Sequence, residues 1–145
     1  MAQTLKEVDG RNAASLARLR ALTDRLTDEE LARPLGNGWT AAAEIAHLAF
    51  FDRRASILVD KWARDGVSAS GLDVDVVNDA MLPQWLILPP RDAVNDALAA
   101  GEEVNAKIAA LSDEFAVALK ESREIRLDRS RHRTDHLDEL DRIFS

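Results

Sequence analysis

RSRHRTDHLDELDRIF, residues 129–144, carries the period that decides the fold. Leu137, Leu140, Ile143 and Phe144 recur at three- and four-residue intervals, and Arg131 with Asp135 and Asp138 with Arg142 are opposite-charge i,i+4 pairs. That pattern predicts an amphipathic helix. At about 100° per residue, His132 and His136 fall about 40° apart, with Ile143 between them and Leu140 to one side. Both histidines therefore lie at the edge of the buried face, and the charged pairs account for the outer one.

WTAAAEIAHLAFFDRRASILVDKW, residues 39–62, reads as a second helix. Thr40 is its N-cap, its stripe includes Ile45, Leu48, Ala55, Val59 and Trp62, and it runs to about Asp65. His47 lies at the margin of that stripe, Glu44 inside it and Asp52 near its other edge. A carboxylate on a core-facing stripe needs a partner: an arginine, a histidine N–H or a metal.

The remaining segments are helical as well. Thr4 to Glu7 is a capping box, followed by a stripe of Leu5, Val8, Leu16, Leu19, Leu22 and Leu26. Thr27 to Glu30 is a second box, opening a short turn before Pro34, and Gly36-Asn37-Gly38 breaks the chain. Residues 66–75 read as a loop, and Asp75 to Trp85 as a short helix limited by Pro83. Pro89-Pro90 starts a third main helix carrying Ala93, Val94, Ala97, Leu98, Val104, Ile108 and Leu111. Ser112 caps a short helix through Leu119, and Asp128 caps the last one. The expectation is a single all-α domain over residues 1–145, a four-helix bundle with short extra helices in its connections.

Composition narrows the function. A net charge of −7 argues against a phosphate-backbone binder, which needs a basic surface. No stretch approaches the roughly 18 apolar residues of a membrane span, and MAQTLKEVDG lacks the pattern of a secretory signal, so cytoplasm is the expected compartment. Cysteine and tyrosine are absent, which removes a thiol nucleophile and one common acid. Neither a phosphate-binding glycine loop nor a G-x-S-x-G turn is present.

His47, His132 and His136 are all the histidines of the chain. Residues i and i+4 share a helix face, so His132 and His136 can reach one ion, and packing the two helices together brings in His47. Three histidines with open positions left over suit a catalytic metal shell. The same spacing also suits histidines that hydrogen-bond neighbours on a bundle seam. Arg123, Arg126, Arg129, Arg131 and Arg133 are interspersed with acids and read as a solvated face, although their nearness to His132 leaves a contact with a substrate carboxylate open. Trp39 and Trp62 read as core. Residues 81–88, MLPQWLIL, are either a pocket lid or a dimer contact, and a homodimer is the expectation.

Gly38-Trp39-Thr40 followed by Glu44-Ile45-Ala46-His47-Leu48 resembles the second-helix signature of DinB-like proteins. His132 to Leu140 resembles the closing H-x-x-x-H motif of that superfamily, and Val76-Val77-Asn78-Asp79 before Trp85 resembles its middle region. The resemblance implies a four-helix bundle with a divalent metal held by His47, His132 and His136; three nitrogen donors suit zinc, nickel, iron or cobalt, with zinc or nickel foremost. It further implies relatives such as mycothiol-dependent maleylpyruvate isomerases and thiol-dependent S-transferases.

With no cysteine in the chain, a reacting thiolate must come from a small molecule. The function expected is metal activation of a low-molecular-weight thiol beside a small-molecule electrophile, for S-transfer or isomerisation, with Glu44 as a supporting group or base. Metal-dependent hydrolysis uses the same ligands and stays open, as does a stress-associated metal-binding or dimeric module without turnover.

Overall fold

A computed structural model describes residues 5–145, and the Thr4 end of the first capping box lies outside them. The order is α1 (Leu5–Arg25), α2 (Asp28–Leu31), α3 (Ala41–Asp65), α4 (Val74–Ile87), α5 (Pro90–Ala109), α6 (Asp113–Ser122) and α7 (Ser130–Phe144). Helices α1, α3, α5 and α7 form the bundle: α1 packs on α5 and α7, and α3 packs on α5 and α7 while carrying α4 on its flank. The expected all-α four-helix bundle with short extra helices is what the chain adopts.

The caps explain the boundaries. Thr27 accepts from the Glu30 N–H while Glu30 accepts from the Thr27 N–H, a complete capping box on α2. Thr40 accepts from the Ala43 N–H at 3.0 Å and opens α3. Gly66 closes α3 at φ 87°, a backbone conformation that disfavours side chains. Two details depart from expectation. Helix α4 continues through Pro83 to Ile87, where the bond lost at Pro83 frees only the carbonyl of Asp79, an exposed residue. Helix α7 has Arg129 at its N-cap; Asp128 stands one residue earlier, where its carboxylate accepts from both the Ser130 N–H and hydroxyl.

The core has two apolar halves. One gathers Leu19, Leu22, Ile45, Leu48, Trp85, Val94, Leu137 and Leu140; the other gathers Val8, Leu58, Trp62, Val104, Ile108, Leu119 and Leu127. Trp62 is core as expected, whereas Trp39 is only half-buried. Between the halves runs a buried polar layer of Asn12, Ser15, Asp52, Arg129 and Arg133. Asp52 accepts from Arg129 Nε at 2.9 Å and from Arg133 Nη2 at 2.9 Å. Asn12 fills the gap between Val8 and Leu16 in the α1 stripe; its side chain receives the Arg129 N–H and donates to the Leu127 carbonyl. That pins the segment leading into α7, and so sets where the histidines of α7 begin.

This layer corrects the reading of the arginine cluster as a solvated face at Arg129 and Arg133, while Arg123, Arg126 and Arg131 are exposed as expected. Arg133 is 1% exposed and Arg129 9%. It also shifts the phase of α7: the buried stripe is Ser130, Arg133, Leu137, Leu140 and Phe144, and Ile143 is exposed. An arginine at the centre of the stripe hid the true phase, because hydropathy alone counts it as an outward residue.

Candidate metal centre

A cleft of about 700 Å³ opens between α3, the 70–78 segment and the start of α7. His47, His132 and His136 all line it, with Glu44, Phe51, Asn78 and Glu139 around them. One ligand-capable atom from each histidine lies within 4.8 Å of the others, an arrangement that can hold a metal ion. The sequence-predicted triad therefore meets in space, and Glu44 meets it too.

Local structure aims each ring. On α3 the segment from Ala41 to Ala49 is buried on every side, so His47, 4% exposed, has little freedom. Trp39 and Trp85 meet the His47 ring edge-on at 5.8 and 5.5 Å, and Phe51 lies 4.8 Å away. Trp39 is held by the short loop before α3, where the Leu35 N–H donates to the Trp39 carbonyl at 2.8 Å and Asn37 Oδ1 accepts the Trp39 N–H. The rotation of about 100° between His132 and Arg133 matters for the same reason: burying Arg133 against Asp52 leaves the neighbouring His132 facing the cleft.

Two hydrogen bonds fix tautomers. His47 Nδ1 lies 3.0 Å from Asn78 Oδ1, and His136 Nδ1 lies 3.4 Å from Glu44 Oε2. Amide and carboxylate oxygens only accept, so both rings donate from Nδ1 and turn Nε2 to the cleft. This is the outer-shell pattern that orients histidines toward a metal. His47 Nε2 and His132 Nε2 approach to 2.8 Å.

The electrostatics favour neutral rings at His47 and His132. Burial, aided by His136, pushes His47 down to about 4. Burial, then His136 and His47, pushes His132 down to about 3. Neutral imidazole is the form that binds metal. Below the triad, Glu139 titrates above the ordinary glutamate range through burial and the Glu44 carboxylate beside it. Glu44, His136 and Glu139 make a second cluster of potential ligand atoms that shares His136 with the first.

Sequence reasoning left several residues of the site without a role. Asn78 and Glu139 entered only as parts of motifs, and Phe51 only within the α3 stretch. The signal available for Glu139 was its position, i+3 from His136 on α7.

No curated protein and no solved structure matches this chain. The family model for the mycothiol maleylpyruvate isomerase N-terminal domain matches residues 13–140, a span that includes α3, the Asn78 segment and both histidines of α7. On that match the chain belongs to the mycothiol maleylpyruvate isomerase N-terminal domain family, within the DinB-like superfamily.

Proposed function

We propose that the protein is a divalent-metal-dependent enzyme that activates a low-molecular-weight thiol toward a small electrophile, by S-transfer or thiol-assisted isomerisation. The observation that carries this reading is the convergence of His47, His132 and His136 at one end of a 700 Å³ cleft, with Asn78 and Glu44 fixing two of the rings. Zinc or nickel suits three nitrogen donors. A divalent ion held by neutral imidazoles keeps its positive charge and acidifies a thiol or water beside it.

The chain's own residues supply the remainder. His47, His132 and His136 hold the ion, while Asn78 and Glu44 keep the His47 and His136 lone pairs directed. Trp39, Phe51 and Trp85 keep water from one side of the reacting centre and orient an apolar part of the substrate. The Glu44–Glu139 pair can accept a proton released at the centre and hold it between two carboxylates, since Glu139 is already shifted toward the protonated form. A homodimer contact is placed on the α4 end, where Leu86, Ile87 and Leu88 are exposed, Ile87 by 80%. The cytoplasm remains the expected compartment; among the described residues no helix is long and apolar enough to cross a membrane.

Elemental analysis of untagged protein beside His132→Ala tests the metal. Near-stoichiometric metal that is lost in the variant supports the reading; protein that rejects added zinc and nickel overturns it. A screen of electrophiles with and without small thiols then separates thiol transfer from hydrolysis, which would proceed without thiol.

A further inference from the structure

Helix α4 brings Asn78 within 3.0 Å of His47 Nδ1 and Trp85 within 5.5 Å of the same ring. It leans on α3 and buries Trp85, while apolar side chains also cover its outer face. At about 100° per residue, Val76, Ala80, Pro83 and Ile87 fall within about 60° of one another, opposite Trp85. All four are exposed, Val76 by 61% and Ile87 by 80%. Their spacing of four, three and four residues is that of a seam between two helices.

Leu72, Leu86 and Leu88 border this seam and are exposed as well. By contrast Ile57, Val117 and Ile143 are exposed singly, on three different helices. The strip on α4 is on the order of 500 Å² per copy, and two such strips reach roughly 1,000 Å², the size at which specific interfaces begin.

Shape and charge both select a second copy of this chain as the occupant. Run antiparallel about a two-fold axis between Ala80 and Pro83, the seam is self-complementary. Val76 then meets Ile87 of the second copy at both ends, and the smaller Ala80 meets Pro83 in the middle, where the helices come closest. The start of α4 carries Asp73, Asp75 and Asp79. Its other end is nearer balance, with Arg53 and Arg91 among Asp28, Asp92 and Asp96. A parallel pairing would set the three aspartates against three more, whereas the antiparallel one separates them.

We propose that the outer face of α4 is an antiparallel two-fold contact with a second copy, and that this contact holds Asn78 and Trp85 against His47. The inference deepens the proposed homodimer and rests on it. It makes the dimer a determinant of the His47 ring, because the helix covered by the second copy is the one that fixes that ring. Anything that binds through His47 is then coupled to dimerisation, and the coupling is reciprocal.

The test uses full-length, metal-free protein throughout. Sedimentation equilibrium over a range of concentrations should show a wild-type dimer, weakened at least roughly tenfold in Ile87→Glu, which buries a charge at both ends of the seam. The chain has no cysteine, so Val76→Cys and Ile87→Cys report the register without background. Oxidation of the two variants mixed should give a disulfide-linked dimer, and oxidation of either alone should not. Nitrogen-15 NMR should show His47 as the Nδ1–H tautomer in the wild-type dimer and as a mixture of tautomers in monomeric Ile87→Glu. Circular dichroism should show Ile87→Glu as helical as the wild type, since Ile87 is outside the core; should it fail to fold, Val76→Glu carries the same measurements.

A wild type that stays monomeric overturns the contact. Cross-linking of either cysteine variant alone, as readily as of the mixture, overturns the antiparallel register. A monomeric Ile87→Glu with His47 still held as Nδ1–H overturns the link to the ring. None of these measurements uses a metal, so failure of the metal reading shows in elemental analysis and is distinguishable from failure here.

Discussion

His47 Nε2 and His132 Nε2 face each other at 2.8 Å across the seam between α3 and α7. Two bare lone pairs cannot point at one another; a proton or a cation must stand between them. Asn78 holds the His47 proton on Nδ1, so in the metal-free protein His132 donates from Nε2. Binding an ion between these nitrogens requires His132 to move that proton to Nδ1. Nitrogen-15 NMR of the imidazoles should therefore show the Nε2–H tautomer for His132 without metal and Nδ1–H with zinc, while His47 stays Nδ1–H throughout. An unchanged His132 tautomer would place the ion elsewhere.

Removing metal should lower the melting temperature. A ligand that binds the folded state alone contributes about 2.7 kcal/mol at one hundred times its Kd, which is about 5–10 °C for a chain of this length. Calorimetry with and without a chelator checks this, and His132→Ala should show no chelator effect.

Asn78 acts through His47 and should be tested as a positioning residue. Asn78→Ala frees the His47 ring without removing a proposed ligand, and loss of such a partner typically weakens metal affinity by about 10–100-fold. Competition with a chromophoric chelator reads this directly. Asn78→Asp, which keeps the acceptor oxygen, should restore affinity; equal loss in both variants would mean the effect is packing.

Much of this site could be read from the sequence, and for a definite reason. The i,i+4 spacing of His132 and His136 survives an error in helix phase, because it depends only on their separation. The phase itself was misread: Ile143 looked buried and Arg133 exposed, whereas Ile143 is out and Arg133 is at the centre of the stripe. The missing information was tertiary. Arg133 is buried because Asp52 from α3 and Asn12 and Ser15 from α1 meet it, and no local pattern announces that meeting. The caps at Thr27, Thr40 and Ser112 were legible because their bonds are local. Asp28 to Leu31 was legible as a short turn on the same grounds.

Acid should destabilise the metal-free protein through the same histidines. His47 and His132 have folded values of about 4 and about 3, below the 6.5 expected in the unfolded chain. Between those values the unfolded chain binds more protons, so stability is fully present above about pH 6.5 and is lost as pH falls toward 4 and 3. The urea midpoint should fall steadily from pH 7 to pH 5. Replacing both residues by glutamine should flatten that slope, and an unchanged slope would assign it to other groups.

Asp52 is the residue whose loss should be most damaging. It is 3% exposed and is the carboxylate between Arg129 and Arg133, while Asn12 and Ser15 satisfy Arg133 only through neutral oxygens. Asp52→Asn leaves two buried guanidiniums without a counter-charge, a change expected to cost about 3–5 kcal/mol. Arg129→Met removes one of those charges and leaves a balanced Asp52–Arg133 pair, so it should cost far less. Combining the two substitutions should recover part of the loss, since one surplus charge has gone. Urea denaturation of the two single variants and the double variant measures this coupling. Simple additivity would mean that the arginines are stabilised independently of Asp52.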